Sequence, residues 1–310
     1  MIVTLTANTS LDLTLVVDDL SPHRTVRANQ TILSMAGKPT DASFILGTLG
    51  IPSRAIGMAS GAFGQRAAEM LAAKGVTVDF VEVGGDTRIN VVMVRADGAG
   101  DTTITTNTLI AEEKHISELL HRLTAALHEA TCVVMGGTLP NGMSPTFYSQ
   151  AIGIARSANV PVILDASGEN LQVGLCSNPD YAKPNRDELS DLAGYSIDSP
   201  QAAFSAASEI LATYGTQSIV TLGGDGAVAV LKDRAYFIPP LQVNLISPAG
   251  AGDAVLAGLA AAIEKQQPIE TGIRLGMAYA AAVCQQAGTA VLDPLDVERF
   301  LPQVQLVPYP

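Results

Sequence analysis

The stretch CVVMGGTLPNGMSPTFYSQAIGIARSANVPVILDAS, residues 132–167, decides the fold. It opens on an apolar run that stops at two glycines and crosses an amphipathic stretch at 144–159. It then closes on a second apolar run that ends in Asp165, Ala166 and Ser167. Short apolar runs without polar alternation predict strands buried on both faces, and a helix between two of them returns the chain so that they run parallel. The pattern recurs where SPQAAFSAASEILATYG (199–215) leads into SIVTLGG (218–224). This predicts an α/β fold with a mostly parallel central sheet flanked by helices. Two segments break the rhythm. LDLTLVVDD (11–19) and TRINVVMVRADGAGDTTITT (87–106) alternate with period two, and they predict a small antiparallel sheet outside the main one, a lid.

Working outward, the 310 residues read as one domain, 1–310, with lid strands in about 10–36 and 87–108. Hydrophobic residues make up 47% of the chain but aromatics only 5%, so Ala, Val, Leu and Ile build the core. With no apolar run of about 18 residues and no basic leader, the expectation is a cytoplasmic protein without a membrane partner. The net charge of −12, with no dense Lys/Arg run, speaks against nucleic acid. Cys132, Cys176 and Cys284 are scattered and odd in number, which fits a reduced compartment. His23, His115, His121 and His128 fall in a loop or on amphipathic helices and read as surface residues.

In an open α/β sheet, ligands gather at the carboxyl ends of the strands, so residues just after the apolar runs come first. SPAGAGDAVLAGLAAAIEK (247–265) places Gly250, Ala251 and Gly252 in a tight turn before a helix whose first N–H groups are unpaired. Those groups and the helix dipole suit a phosphoryl group gathering negative charge. Asp253 is then either a helix cap or a general base taking a proton from a substrate hydroxyl. Val255 occupies the third glycine position of G-x-G-x-x-G, which disfavours a dinucleotide dehydrogenase. In KPNRDEL (183–189), Asn185 and Glu188 share one helix face: they hold a hydrated Mg²⁺ or form a capping box. In TLGGDGAVAV (221–230), Thr221, Gly223 and Gly226 suit close approach of a nucleotide or a hairpin turn. Asp165 sits near Mg²⁺ or orients the turn at Ser167 and Gly168.

The order of these motifs carries a resemblance. NTSLDLT (8–14), AGKPTDAS (36–43) with ILGTLG (45–50), TRIN (87–90), GGTLPNG (136–142), LDASGENL (164–171), KPNRDEL, TLGGDGA and GAGDAVLAG (250–258) follow one another along nearly the whole chain. Together they resemble the ribokinase-like, or PfkB, carbohydrate kinases, in particular the branch of fructose-1-phosphate and tagatose-6-phosphate kinases. The resemblance implies a three-layer ribokinase-like fold with a β-sheet lid over the sugar, and ATP with Mg²⁺ as phosphoryl donor. By its implication Asp253 is the catalytic base, and Gly250, Ala251 and Gly252 form the anion hole. Asn185 and Glu188 serve Mg²⁺, mostly through water. Lys183, Asn185, Thr221, Gly223 and Gly226 meet ATP, with Met277 and Ala280 as the adenine wall. Asp12, Gly37, Lys38, Asp41, Arg88, Asn90 and Thr138 are implied on the acceptor side. A homodimer through the lid is also implied, and a covered face would suit the apolar alternation of 13–19.

One motif departs from the family. Its loop usually reads Gly-Gly-Lys-Gly-x-Asn, whereas here it reads Ala36-Gly37-Lys38-Pro39-Thr40-Asp41. An ionised Asp41 would accept but not donate hydrogen bonds and would add negative charge. GDTTITTN (100–107) lacks a second arginine for a distal phosphate. The expected activity is phosphorylation of a ketohexose monophosphate. An unphosphorylated sugar or a nucleoside as acceptor, and a regulator that keeps only the fold, stand as alternatives.

Overall fold

The computed structural model describes residues 1–21, 23–97 and 100–309; Pro22, Gly98, Ala99 and Pro310 lie outside the described residues. The strands in chain order are β1 (Ile2–Thr6), β2 (Ser10–Val17), β3 (Gln30–Ala36), β4 (Ser53–Ala59), β5 (Thr77–Glu82), β6 (Arg88–Arg95) and β7 (Asp101–Ile104). They continue with β8 (Cys132–Gly136), β9 (Val162–Asp165), β10 (Tyr181–Ala182), β11 (Gln217–Thr221), β12 (Ala227–Val230), β13 (Ala235–Ile238) and β14 (Val307–Pro308). The helices are α1 (Lys38–Thr48), α2 (Gly61–Ala72), α3 (Glu113–Ala126), α4 (Thr146–Ser157) and α5 (Gly168–Leu175). After them come α6 (Arg186–Ala193), α7 (Pro200–Tyr214), α8 (Ala251–Glu264), α9 (Ile269–Val283) and α10 (Pro294–Phe300).

The main sheet has the order β14-β13-β12-β11-β10-β9-β8-β1-β4-β5. Every neighbouring pair from β11 to β5 is parallel, and β12 to β14 add antiparallel strands at one edge. Apolar residues alternate between its faces as the buried runs require. Val133 and Met135 of β8 and Val162 and Leu164 of β9 pack with α3 to α7, while Cys132, Val134 and Ile163 pack with α1, α8, α9 and α10. Helix α8 is buried from Ala254 to Ala262 because it lies within that second layer, and its apolar sequence follows from this position. The chain leaves β1 toward β4 on one side and later fills β8 to β11 on the other. The order of winding therefore reverses between β1 and β8, the kind of switch point whose carboxyl side favours ligand sites in open α/β sheets.

The lid is a four-stranded sheet, β3-β2-β6-β7. It departs from the antiparallel sheet expected: β2 pairs β3 antiparallel and β6 pairs β7 antiparallel, but β2 and β6 run parallel. The physical reason is the crossover. Between β2 and β6 the chain passes through β4, α2 and β5 of the main body, and a connection that long lets it re-enter the lid in the same direction. Register makes the lid two-faced. Leu11, Met35 and Ile89 pack toward α2 with Ala67 and Leu71. On the opposite face Asp12 stands beside Ser34 and Asn90, and Ser10 beside Arg88. A slip of one residue would reverse the faces.

Candidate active site

Helix α8 begins where the sequence places it. Gly250 adopts φ 83°, and a Cβ there would stand 2.4 Å from the Ala290 backbone nitrogen, so only glycine fits. No side chain caps this N-terminus. The Ala251 N–H bonds the Pro248 carbonyl at 3.1 Å, whereas the N–H groups of Gly252 and Asp253 make no hydrogen bond among the described residues. They face a cleft of about 890 Å³ lined by Ala251, Gly252 and Asp253, by Lys38, Asp165, Lys183 and Asn185, and by Thr221, Gly223 and Gly226. Met277 and Ala280 form part of its apolar wall. The residues expected around ATP are thus brought together in one cleft. Lys183 brings positive charge to the N-terminus of α8, since a Cβ at Gly252 would come within 3.2 Å of its Nζ.

Asp165, wholly buried at the end of β9, anchors both ammonium groups. Lys38 Nζ lies 2.7 Å from Asp165 Oδ1 and 2.7 Å from Glu188 Oε1, and Lys183 Nζ lies 3.0 Å from Asp165 Oδ2. Burial opposes ionisation of Asp165, yet Lys183 and Lys38 hold its carboxyl below the usual range. Burial likewise opposes the charge of Lys38, but Asp165 and Glu188 outweigh it and raise its pKa. Lys38 was expected on the acceptor side. The structure places its ammonium against Asp165 and Glu188, because the first residue of α1 reaches across to β9 and α6, where two acids attract it.

At α6 the capping box is present: Asn185 Oδ1 accepts from the Glu188 N–H at 2.8 Å, and Glu188 Oε2 accepts from the Asn185 N–H at 2.9 Å. Both Glu188 oxygens therefore have protein partners. Among the described residues no group of three or more His, Cys, Asp or Glu side chains is arranged to hold a metal ion. The 3-10 turn at Gly223–Asp225 is tied down by Arg186, whose Nη2 donates to the Leu222 carbonyl at 3.1 Å and to Asp225.

The lid supplies a second polar wall. Asp12 Oδ1 accepts from Asn90 Nδ2 at 2.8 Å, and its Oδ2 accepts from Thr289 Oγ1 at 2.7 Å. Thr138 Oγ1 accepts from Asn8 Nδ2 at 3.1 Å and from Arg88 Nη2 at 3.2 Å, and Thr108 bonds the Asn8 amide oxygen at 2.6 Å. Asn8, Thr108, Thr289 and Arg186 were not singled out from sequence. Asn8 and Arg186 lie inside recognised motifs, but nothing local marks the two threonines.

The two walls meet through carboxyls. Burial raises the Asp253 pKa to about 6, helped by the charge of Asp165 and opposed by Lys38, Lys183 and a hydrogen bond with Asp41. Burial also raises Asp41, together with the charges of Asp253 and Asp12. Asp12 is raised by burial, with Thr289, Asn90 and Arg88 pulling the other way.

Comparison with known proteins fits this geometry. The pattern described as pfkB family carbohydrate kinase matches residues 3–295. The chain belongs to this family. A 1-phosphofructokinase of Bacillus subtilis is 30% identical over 98% of this chain and 97% of its own length. A tagatose-6-phosphate kinase of Staphylococcus epidermidis is 30% identical over 99% of both. The structure of phosphofructokinase-2 from Escherichia coli in complex with potassium superposes with a TM-score of 0.89 at 26% identity, covering 97% of this chain and 98% of that one. Membership in the pfkB family makes the chain a carbohydrate kinase, and the ribokinase-like sheet with its lid is the architecture expected from the motifs. Among the described residues no helix is long and apolar enough to cross a membrane.

Proposed function

We propose that this carbohydrate kinase transfers the γ-phosphoryl group of ATP to a hydroxyl of a ketohexose monophosphate, with Asp253 as general base. The observation that carries the reading is the position of Asp253. It lines the cleft beside unpaired amides, and its carboxyl hydrogen-bonds that of Asp41, which also feels the charge of Asp12 from the lid. A carboxyl with a pKa of about 6 is ionised at neutral pH and still basic enough to take a proton as the hydroxyl attacks. The Gly252 and Asp253 amides, the α8 dipole and Lys183 face the phosphoryl group where charge accumulates. Mg²⁺ would be held by Asp165, Glu188 and Asn185 through water, since the Asp165 and Glu188 carboxylates are already paired with ammonium groups, and it would offset phosphate charge. The named activities of the Bacillus and Staphylococcus relatives support a phosphosugar acceptor.

Arg88, beside Thr138, is the cation on the polar lid face that suits the distal phosphate. In an ADP-release assay, fructose 1-phosphate or tagatose 6-phosphate is expected to turn over, and free fructose, ribose and adenosine are not. Arg88→Ala should raise KM for the phosphosugar about tenfold to hundredfold, the loss of one charge-assisted contact. Turnover of a free sugar with no turnover of either phosphosugar would overturn the acceptor assignment. The single-arginine lid face is the observation that favours that alternative.

The lid is also where we place a second copy of the chain. All four residues of its edge strand β7 are exposed, and Ile104 is 51% exposed. Sedimentation is expected to show a dimer that Ile104→Lys weakens; a monomer at micromolar concentration would contradict it.

A further inference from the structure

Asp41 has no part in the transfer as described, and it stands where the family pattern has asparagine. It lies in the first turn of α1 and is 2% exposed. Its carboxyl hydrogen-bonds the Asp253 carboxyl of α8, and its Oδ1 has no hydrogen-bond partner among the described residues. The charged groups acting on it are Asp253 from α8 and Asp12 from β2, both acids. Asp253 itself feels Lys38 of α1 and Lys183, as well as Asp165 of β9.

Two ionised carboxylates offer only acceptors, so a hydrogen bond between them requires one proton. The proton belongs on the member less able to carry charge. Asp253 is half-buried, lies at a helix N-terminus and has two ammonium groups near it. Asp41 is almost fully buried between two acids.

We propose that Asp41 is a protonated carboxylic acid that donates its hydrogen bond to the Asp253 carboxylate and so positions the base. The proposal rests on the reading of Asp253 as base. The acceptor hydroxyl gives its proton to Asp253, and the Asp41 proton stays where it is. In this form Asp41 is neutral, with one donor and one free acceptor oxygen, the same inventory an asparagine presents on that side. The expectation that it adds negative charge to the pocket is thereby reversed. Ionisation of Asp41 at high pH would remove the donor and place a second negative charge beside the base and the incoming phosphate.

The test compares Asp41→Asn with Asp41→Leu through the pH dependence of kcat/KM. Wild type is expected to show an acidic limb and an alkaline limb. Asp41→Asn should keep the acidic limb in place and lose the alkaline one, because an amide donor does not titrate. Asp41→Leu, which cannot donate, should lower kcat about 10²-fold through a misplaced base, with KM for ATP little changed. An acidic limb that moves down by about one unit or more in Asp41→Asn would show that a negative charge had been removed, and would overturn the proposal. So would an alkaline limb that survives, or equal losses in the two variants. Infrared difference spectra of wild type minus Asp41→Asn at neutral pH give a readout independent of turnover. A protonated-carboxyl carbonyl band is expected from wild type, and its absence would overturn the proposal even if Asp41→Leu fails to fold. Failure of the base reading looks different: Asp253→Asn would stay active while the infrared band remained.

Discussion

Asp253→Asn is expected to lower kcat by about 10² to 10⁴, with the thermal unfolding profile and KM for ATP nearly unchanged. The amide is close in shape to the carboxylate, so the packing of α8 survives, but the hydroxyl loses its proton acceptor. Wild-type kcat/KM should rise with pH through about 6, where the carboxyl ionises, because only the ionised form can take the proton. Removing the group should remove that limb. Activity retained within threefold would take Asp253 out of the role of base.

The second large effect concerns stability. Lys183 is 3% exposed and its partner Asp165 is fully buried, so Lys183→Met leaves a buried carboxylate with Lys38 as its remaining cation. Breaking a buried pair from one side is costly, and unfolding free energy in urea should fall by about 3 kcal/mol. Adding Asp165→Asn to Lys183→Met should recover part of the loss, because the unpaired charge is then gone. A loss below about 1 kcal/mol for Lys183→Met would mean that Asp165 relies on Lys38 alone. Turnover should fall as well, since the ammonium lies against Gly252 at the start of α8.

These two results would also show which parts of the site can be read from sequence. The parallel sheet was legible because buried strands and amphipathic helices alternate from Cys132 to Ser167, and the start of α8 was legible because Gly250 and Gly252 flank a single alanine before Asp253. Asn185 and Glu188 were found through their spacing, of which the structure shows the capping reading, and the box that fixes α6 also presents Glu188 to Lys38.

What escaped the sequence is what depends on distant parts of the chain. The ion pairs of Lys38 have no local signal, since its partners Asp165 and Glu188 lie 127 and 150 positions away. Thr289, which completes the partners of Asp12, is 277 positions from it and has no local pattern. The parallel pairing of β2 and β6 was missed because a period of two identifies strands but not their direction. Asp41 was recognised as a departure, but its charge state follows from two other acids that only the folded chain brings near.

The most direct test is a crystal structure with a phosphosugar acceptor and a non-hydrolysable ATP analogue bound. A carboxylate oxygen of Asp253 is predicted about 2.6–3.2 Å from one acceptor hydroxyl, with that hydroxyl in line with the γ-phosphorus and the phosphate against the Gly252 amide. An Asp253 carboxylate separated from every acceptor hydroxyl by more than one water, with another side chain in its place, would contradict the account.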